Sequence, residues 1–311
     1  MPRPYLLRFE RPVIKLTRGL PEWSRYSFAS ANQRSFKTFD KTEIATQRLS
    51  GPPFHIELFE VRVDAPFRIH YEIQERQYFL FFMMEGDFTF TTPEGFYVSY
   101  AKSGCFSLVF NASGHYDIAL PAGRYTAFCI ALDHEWLTFF SEDRKELRHF
   151  QERTLSKEHD LLPYCRIDRN VARCLKSLYT GVQQGKGSLD GQSRYYISLI
   201  LEEYDRAVEE KRQNVPWKVK EYLDKRFSDP ELSLKVLARE LGVRPGSMRS
   251  QFISEFRTSP HEYYTSKRVE LARRLILNHG LPLSKVFDQV GYNDESALRY
   301  EMKQFGKKCN F

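Results

Sequence analysis

The chain has 311 residues, room for two ordinary domains, and its 41% hydrophobic and 28% charged residues suit packed cores rather than a disordered polymer. No apolar run reaches the roughly 18–20 residues that span a bilayer, and residues 1–10 lack the apolar core of a secretion signal, which points to a cytoplasmic protein. The net charge of +7 sits in the last third: residues 211–311 hold 20 Lys+Arg against 12 Asp+Glu, while residues 1–210 hold 27 against 28. A basic segment joined to a neutral one is the electrostatic footprint of a polyanion binder.

Residues 1–50 are basic, aromatic and irregular, and no element is assigned to them. From about residue 54 the texture turns β-like. His55–Arg62 nearly alternates, and Tyr78–Met84 reads as a strand buried on both faces. Phe88–Thr91, Gly95–Tyr100, Phe106–Phe110 and Tyr125–Leu132 follow, punctuated by glycines at 86, 95, 104, 114 and 123. Short aromatic strands with regular turn signals predict an antiparallel sandwich or barrel. A barrel interior can hold a ligand. Strand register decides which side chains face it, so no effector-binding residue is assigned.

Beyond Leu132 the period becomes helical. His134–Phe140 and Arg144–Phe150 predict short helices, Arg169–Gln183 a longer one, and Gly185–Ser188 a break. Asp190–Lys211 carries the stripe Ile197, Ile200, Leu201, Tyr204 and Val208, which either packs on the strand-rich core or forms a dimer seam. Glu209–Asn214 is polar, has no apolar anchor and reads as a linker, with Pro216 opening the next helix.

The basic segment contains one pattern twice. Ser233–Val243 returns forty-nine residues later as Pro282–Tyr292. Each copy reads as a short apolar-faced helix, a glycine turn and a second helix, the helix-turn-helix arrangement that puts its second helix in a DNA major groove. In the first copy Ser233 is the expected N-cap and Leu234, Leu237, Ala238 and Leu241 form the inner face. Gly242 makes the corner and Pro245 opens the second helix. Met248, Phe252 and Phe256 face inward, which leaves Arg244, Gly246, Ser247, Arg249 and Ser250 as candidate DNA contacts. Arg249 is the leading base-edge candidate, because a guanidinium pairs with guanine O6 and N7. In the second copy Leu283, Val286 and Val290 face inward, Gly291 turns, Asp294 caps, and Leu298, Met302 and Phe305 form the buried stripe. Glu295, Ser296, Arg299 and Tyr300 then face out. In the helix Glu262–Asn278 that joins the copies, Arg268 is read as structural, on a solvated face or in an internal ion pair.

Residues 215–306 resemble the DNA-binding domain of AraC/XylS-type bacterial transcription regulators. Leu237-Ala238, Leu241-Gly242-Val243, Met248, Phe252, Phe256, Ser259-Pro260 and Tyr263 carry the likeness in the first half. Arg268, Ala272, Leu275, Val290–Asp294, Ser296 and Phe305-Gly306 carry it in the second. The resemblance implies seven helices, with recognition helices around 245–256 and 294–304 entering successive major grooves about one turn, ~34 Å, apart. The β-rich half is similar in layout to the cupin-like sensor and dimerisation domains of that family, which often sense a small molecule.

Several residues depart from the family pattern. Ser250 and Tyr300 stand where an arginine is usual, with Arg249 and Arg299 one position earlier, about 100° around the helix. Phe287 replaces a small residue and Arg257 replaces a glycine. The stretch from Ser296 to Gly306 is one residue short, and Phe311 falls before most of the usual closing helix.

The expected architecture is α+β in two domains. A cupin-like β-barrel domain over 1–160 carries a helical dimerisation and linker segment over 161–214 and an all-α double helix-turn-helix domain over 215–311. The expected partners are double-stranded promoter DNA, a small-molecule effector, a second copy of the chain and RNA polymerase, with activation and repression both open. No catalytic residue, metal site or cofactor is assigned. His70-Tyr-Glu72 and His55-Ile-Glu57 lack the second histidine of a metal-binding cupin and read as surface chemistry, and the five scattered cysteines (105, 129, 165, 174 and 309) form no Cys-x-x-Cys pair. Two alternatives stay open: a degenerate regulator acting through a protein partner or non-specific DNA binding, and a cupin-type enzyme with an incidental helical tail.

Overall fold

A computed structural model describes residues 3–51, 53–181 and 186–308. Residues up to Phe90 with Ala101–Lys211 form one unit, and Thr91–Tyr100 with the chain from Arg212 onward form the other. The strands are β1 (Tyr5–Phe9), β2 (Lys15–Thr17), β3 (Gln33–Phe39), β4 (Thr42–Gly51), β5 (Phe54–Val63) and β6 (Phe67–Ile73). They continue as β7 (Gln77–Glu85), β8 (Phe88–Thr91), β9 (Tyr97–Ala101), β10 (Cys105–Asn111), β11 (Gly114–Leu120) and β12 (Gly123–Leu132). Helices α1 (His134–Ser141) and α2 (Lys145–Thr154), strands β13 (His159–Leu161) and β14 (Cys165–Arg166), and helices α3 (Arg169–Thr180) and α4 (Lys186–Arg212) follow.

The strands form two antiparallel sheets, not a closed barrel. One is five-stranded, in the order β1-β6-β11-β8-β9. The other is nine-stranded, in the order β13-β10-β7-β12-β5-β4-β3-β2, with β14 paired to β10. Alternation along β5 shows how they are used. Ile56 and Leu58 join a core with helix residues Leu137, Phe150, Leu175, Ile200 and Tyr204. Val61 and Val63 join a second core with Phe67, Ile69 and Leu120 of the smaller sheet. The large sheet is therefore covered on both faces, by helices and by the small sheet, which is why the β7 run Tyr78–Met84 is almost continuously apolar.

The α4 stripe is spent on this core: Ile197, Ile200, Leu201, Tyr204 and Val208 are all at most 1% exposed. Tyr204 fastens it, accepting from Leu108 N at 3.0 Å and donating to Pro163 O at 2.8 Å. The expected linker over 209–214 is mostly helix, because α4 runs to Arg212 and the next helix begins at Val215. Lys145 and Glu209 pair at 3.6 Å on the surface, a contact worth at most about 1 kcal/mol. The expected break over 185–188 begins outside the described residues, and α4 is helical from Lys186. Cys309 also lies outside them.

Residues 1–50, unassigned from sequence, supply four strands. Asp40 and Lys41 turn β3 into β4, with Lys41 in the left-handed region at φ 59. Between the sheets lies a buried charge cluster, where His55 and Glu57 are interior and not at the surface. Glu57 accepts from Arg3, Arg48 and the Tyr5 hydroxyl. Burial by itself would raise its carboxyl, but His55, Arg3 and Arg48 hold it well below the usual carboxylate range.

Candidate nucleic-acid interface

The second unit contains α5 (Val215–Arg226), α6 (Leu234–Glu240), α7 (Pro245–Phe256), α8 (Pro260–His279) and α9 (Glu295–Lys308). A single 3-10 turn, Leu283–Lys285, precedes α9. Five α-helices and one short turn thus stand, among the described residues, where the resemblance implies seven helices.

The first copy folds as its spacing dictates. Ser233 caps α6, accepting from Val236 N. Gly242 turns the corner at φ 65 and Pro245 sits at the start of α7. Met248, Phe252 and Phe256 are at most 1% exposed, and Trp217 of α5 meets the Phe256 ring at 4.9 Å. Asp224 ties α5 to α8, accepting from the Tyr263 hydroxyl at 2.7 Å and pairing with Lys220 at 2.7 Å and Lys267 at 3.0 Å. These contacts hold α7 by its inner face. Arg244, Gly246, Ser247, Arg249 and Ser250 are all exposed on the outer side. Gln251, which sequence reasoning passed over, is exposed beside them and donates to Ser247 Oγ at 3.0 Å. Its signal was the i, i+4 spacing from Ser247, and an amide there suits adenine N6 and N7.

The second copy is less regular. Its leading helix is reduced to the 3-10 turn and irregular turns through Val290. Ala238 of α6 is fully excluded from solvent, whereas its counterpart Phe287 is half-buried at the edge of the cluster formed by Ala272, Val286, Val290 and Leu298. The segment keeps two helical backbone bonds, Phe287 N to Leu283 O at 3.3 Å and Val290 N to Val286 O at 3.2 Å, with the ring packed on the cluster from its edge. Asp294 caps α9, accepting from Ala297 N at 2.8 Å, and Leu298 is completely buried. Ser296, Arg299 and Tyr300 are exposed, and Glu295 is half-buried. Glu295 and Arg299 pair with each other. Lys303, one turn beyond Arg299 and also exposed, is a further cation missed in the sequence.

Arg268 is structural, as expected, but it serves carbonyls and not a carboxylate. It is 8% exposed and donates to Phe227 O and to Asp229 O at 2.7 Å, beneath Tyr264 and Tyr292. Burial lowers its proton affinity. The same packing pushes the Tyr292 hydroxyl well above its ordinary range.

Residues 237–307, from α6 into α9, match a family model described as a helix-turn-helix domain. The region is a helix-turn-helix domain. A DNA-binding transcription regulator is the activity such a domain supports. No curated protein matches the chain in sequence. Among solved structures, the C-terminal domain of AraT, a response regulator from Geobacillus stearothermophilus, is 24% identical, covering 30% of this chain and 84% of its own at a TM-score of 0.28. ToxT from Vibrio cholerae O395 is 13% identical over 85% of this chain and 93% of its own, at a TM-score of 0.28. The AraC-like transcriptional activator CuxR is 13% identical over 76% and 83%, at a TM-score of 0.33. Among the described residues, no group of His, Cys, Asp or Glu is placed to hold a metal, and no helix is long and apolar enough to cross a membrane.

Proposed function

We propose that the chain is a sequence-specific, cytoplasmic transcription regulator without enzymatic activity. Residues 215–311 read promoter DNA. Residues 1–160, with the helical segment 161–214, dimerise, sense a small molecule, or do both, and a bound dimer contacts RNA polymerase. One observation carries the reading: α7 is fixed by a fully buried apolar stripe while Arg249, Ser247, Ser250 and Gln251 stand exposed on its other faces. Phosphate contacts from the basic segment supply most of the affinity, and α7 supplies discrimination.

Selection of bound DNA from a random pool, followed by titration of Arg249→Ala, tests it. The variant loses about 1–3 kcal/mol at the selected site and keeps its affinity for unrelated DNA. Equal loss on both DNAs would overturn base reading by Arg249.

A second reading applies to α9 alone. Arg299 is engaged by Glu295, and the turn before α9 is irregular. Both features favour α9 as a backbone anchor over a base reader. Arg299→Ala then weakens all sequences alike.

A further inference from the structure

Thr91–Tyr100 comes from the middle of the strand-rich sequence but belongs to the unit that holds α5 to α9. A turn at Thr92–Gly95, closed by Gly95 N to Thr92 O at 2.8 Å and Thr92 N to Phe96 O at 2.9 Å, leads into β9. β9 is an edge strand in its sheet. An open edge leaves backbone groups unpaired, and covering it with a helix is one remedy. Here Tyr97 N donates to Ser266 Oγ of α8 at 3.3 Å. The Tyr97 ring meets that of Tyr263 at 5.7 Å, and the Arg273 guanidinium lies 5.8 Å from the Phe96 ring. The segment thus follows α8 from Tyr263 to Arg273, about 15 Å of helix. Phe96 and Tyr100 are 2% and 5% exposed.

These two aromatics meet the C-terminal ends of α7 and α9. The Tyr100 hydroxyl accepts from Nε of Arg257, the C-cap of α7, at 3.0 Å. Phe96 meets Phe305 of α9 at 5.4 Å. In a strand, the four steps from Phe96 to Tyr100 span about 13 Å. α7 is already well fixed, by three buried side chains and by a connection of three residues to α8. α9 is reached from α8 only through residues 280–294, which hold a 3-10 turn and irregular turns. Leu298 and Met302 pack its first half on the cluster with Ala272. A helix held at one half can tilt about that point. Phe305, about 10 Å beyond Leu298, gives α9 its second point of attachment.

We propose that Thr91–Tyr100 is a strut of the DNA-reading unit. Phe96 and Tyr100 are positioning residues, too buried to meet DNA themselves, that fix the tilt of α9 relative to α7. They thereby set the spacing at which the two halves of a DNA site are read. Two linked readers bind a two-part site best when their link holds them at the matching span. This role rests on the regulator reading above.

Fluorescence anisotropy of the full chain on three DNAs tests it. They are the site selected from a random pool, that site with one base pair inserted between its halves, and that site with the half read by α9 scrambled. The insertion turns one half by about 35° around the duplex, so the parent binds it about tenfold or more weaker. Phe96→Ala binds the selected site about three- to tenfold weaker than the parent does, and the penalty for insertion falls to about threefold or less, because a loosely held α9 follows the displaced half. Binding to the scrambled site is unchanged. Phe96→Leu keeps an apolar contact with Phe305 and restores the penalty. Phe305→Ala, at a half-buried position, reproduces Phe96→Ala should that variant fold poorly. A hairpin that only stabilises the fold would weaken all three DNAs alike and leave the penalty intact. A parent that selects no two-part site overturns the regulator reading and the strut with it. A parent with a strict spacing that Phe96→Ala and Phe305→Ala both retain overturns the strut alone.

Discussion

Glu295 and Arg299, one turn apart on α9, form an ion pair on its outer face. Arg249 on α7 has no such carboxylate among the described residues, since the position one turn before it is Pro245. The two arginines therefore start from different states. Arg299 must leave Glu295 before it meets a phosphate, and Glu295 itself repels one.

Removing that carboxylate should strengthen DNA binding. Glu295→Gln frees Arg299 at a cost to helix stability of about 0.3–0.5 kcal/mol, the worth of an exposed pair of this spacing. Affinity rises about two- to tenfold and the salt dependence steepens by about one phosphate contact. Fluorescence anisotropy across a salt series measures both. Unchanged or weaker binding would mean that Glu295 contacts a base.

Gly291 is constrained far more tightly than Gly242, although both occupy the same place in the repeat. Both have positive φ, 85 and 65. A Cβ on Gly242 meets open space, whereas one on Gly291 falls 2.7 Å from Ser228 O and 2.9 Å from Arg268 Nη2. Gly242→Ala thus costs only the left-handed strain, about 1 kcal/mol. Gly291→Ala adds a backbone clash beside Arg268, which serves the carbonyls of Phe227 and Asp229 just after α5, for a total of about 2–4 kcal/mol. Urea unfolding of the two variants separates the terms, and equal losses would contradict the clash.

Much of this second unit could be read from sequence, because local rules decide it. Met248, Phe252 and Phe256 repeat at helical spacing, Ser233 and Asp294 are natural caps, and no competing pattern overlaps them. The first fifty residues could not be read, for two physical reasons. The β3–β4 turn uses Asp40-Lys41, with lysine in a conformation normally signalled by glycine. The inward face of β4 carries one apolar residue, Ile44, between Thr42 and Thr46, and ends on Arg48 paired with Glu57, so its alternation is not one of hydrophobicity. The polarity of 209–214 reads as a linker, and that composition does not reveal that α4 continues to Arg212. Whether strands close into a barrel depends on pairing between distant segments, which no local pattern encodes.

The Glu57 cluster makes a prediction about acid. Its folded carboxyl is held below its unfolded value, so it stabilises the fold at every pH above roughly 4.3 and loses that contribution as pH falls towards its folded value. Glu57→Gln removes it at all pH values and leaves Arg3 and Arg48 without their shared carboxylate. A loss of about 3–5 kcal/mol is expected at pH 7. The gap between variant and parent should narrow below roughly pH 4, where the parent begins to lose the same interaction. A gap that stays constant down to roughly pH 2 would argue that Glu57 acts by packing and not by charge.

Arg257 closes α7 in a conformation that suits glycine. Its φ is 56, and its backbone N–H caps Ile253 O. A non-glycine residue in this region is strained by about 1–2 kcal/mol. The side chain recovers part of that: its Nε donates to the Tyr100 hydroxyl at 3.0 Å, with the guanidinium 5.6 Å from the Tyr100 ring. A partly exposed contact of this kind is worth about 0.5–1 kcal/mol, less than the strain. Set against the Tyr100 contact, the strain favours Arg257→Gly by about 0.5–1 kcal/mol, a gain that the other contacts of Arg257 reduce and that the unfolding midpoint measures. In a Tyr100→Phe background the hydrogen bond is already absent, so the same replacement should gain more. An Arg257→Gly variant that is less stable than its parent in both backgrounds would show that the arginine holds something other than Tyr100.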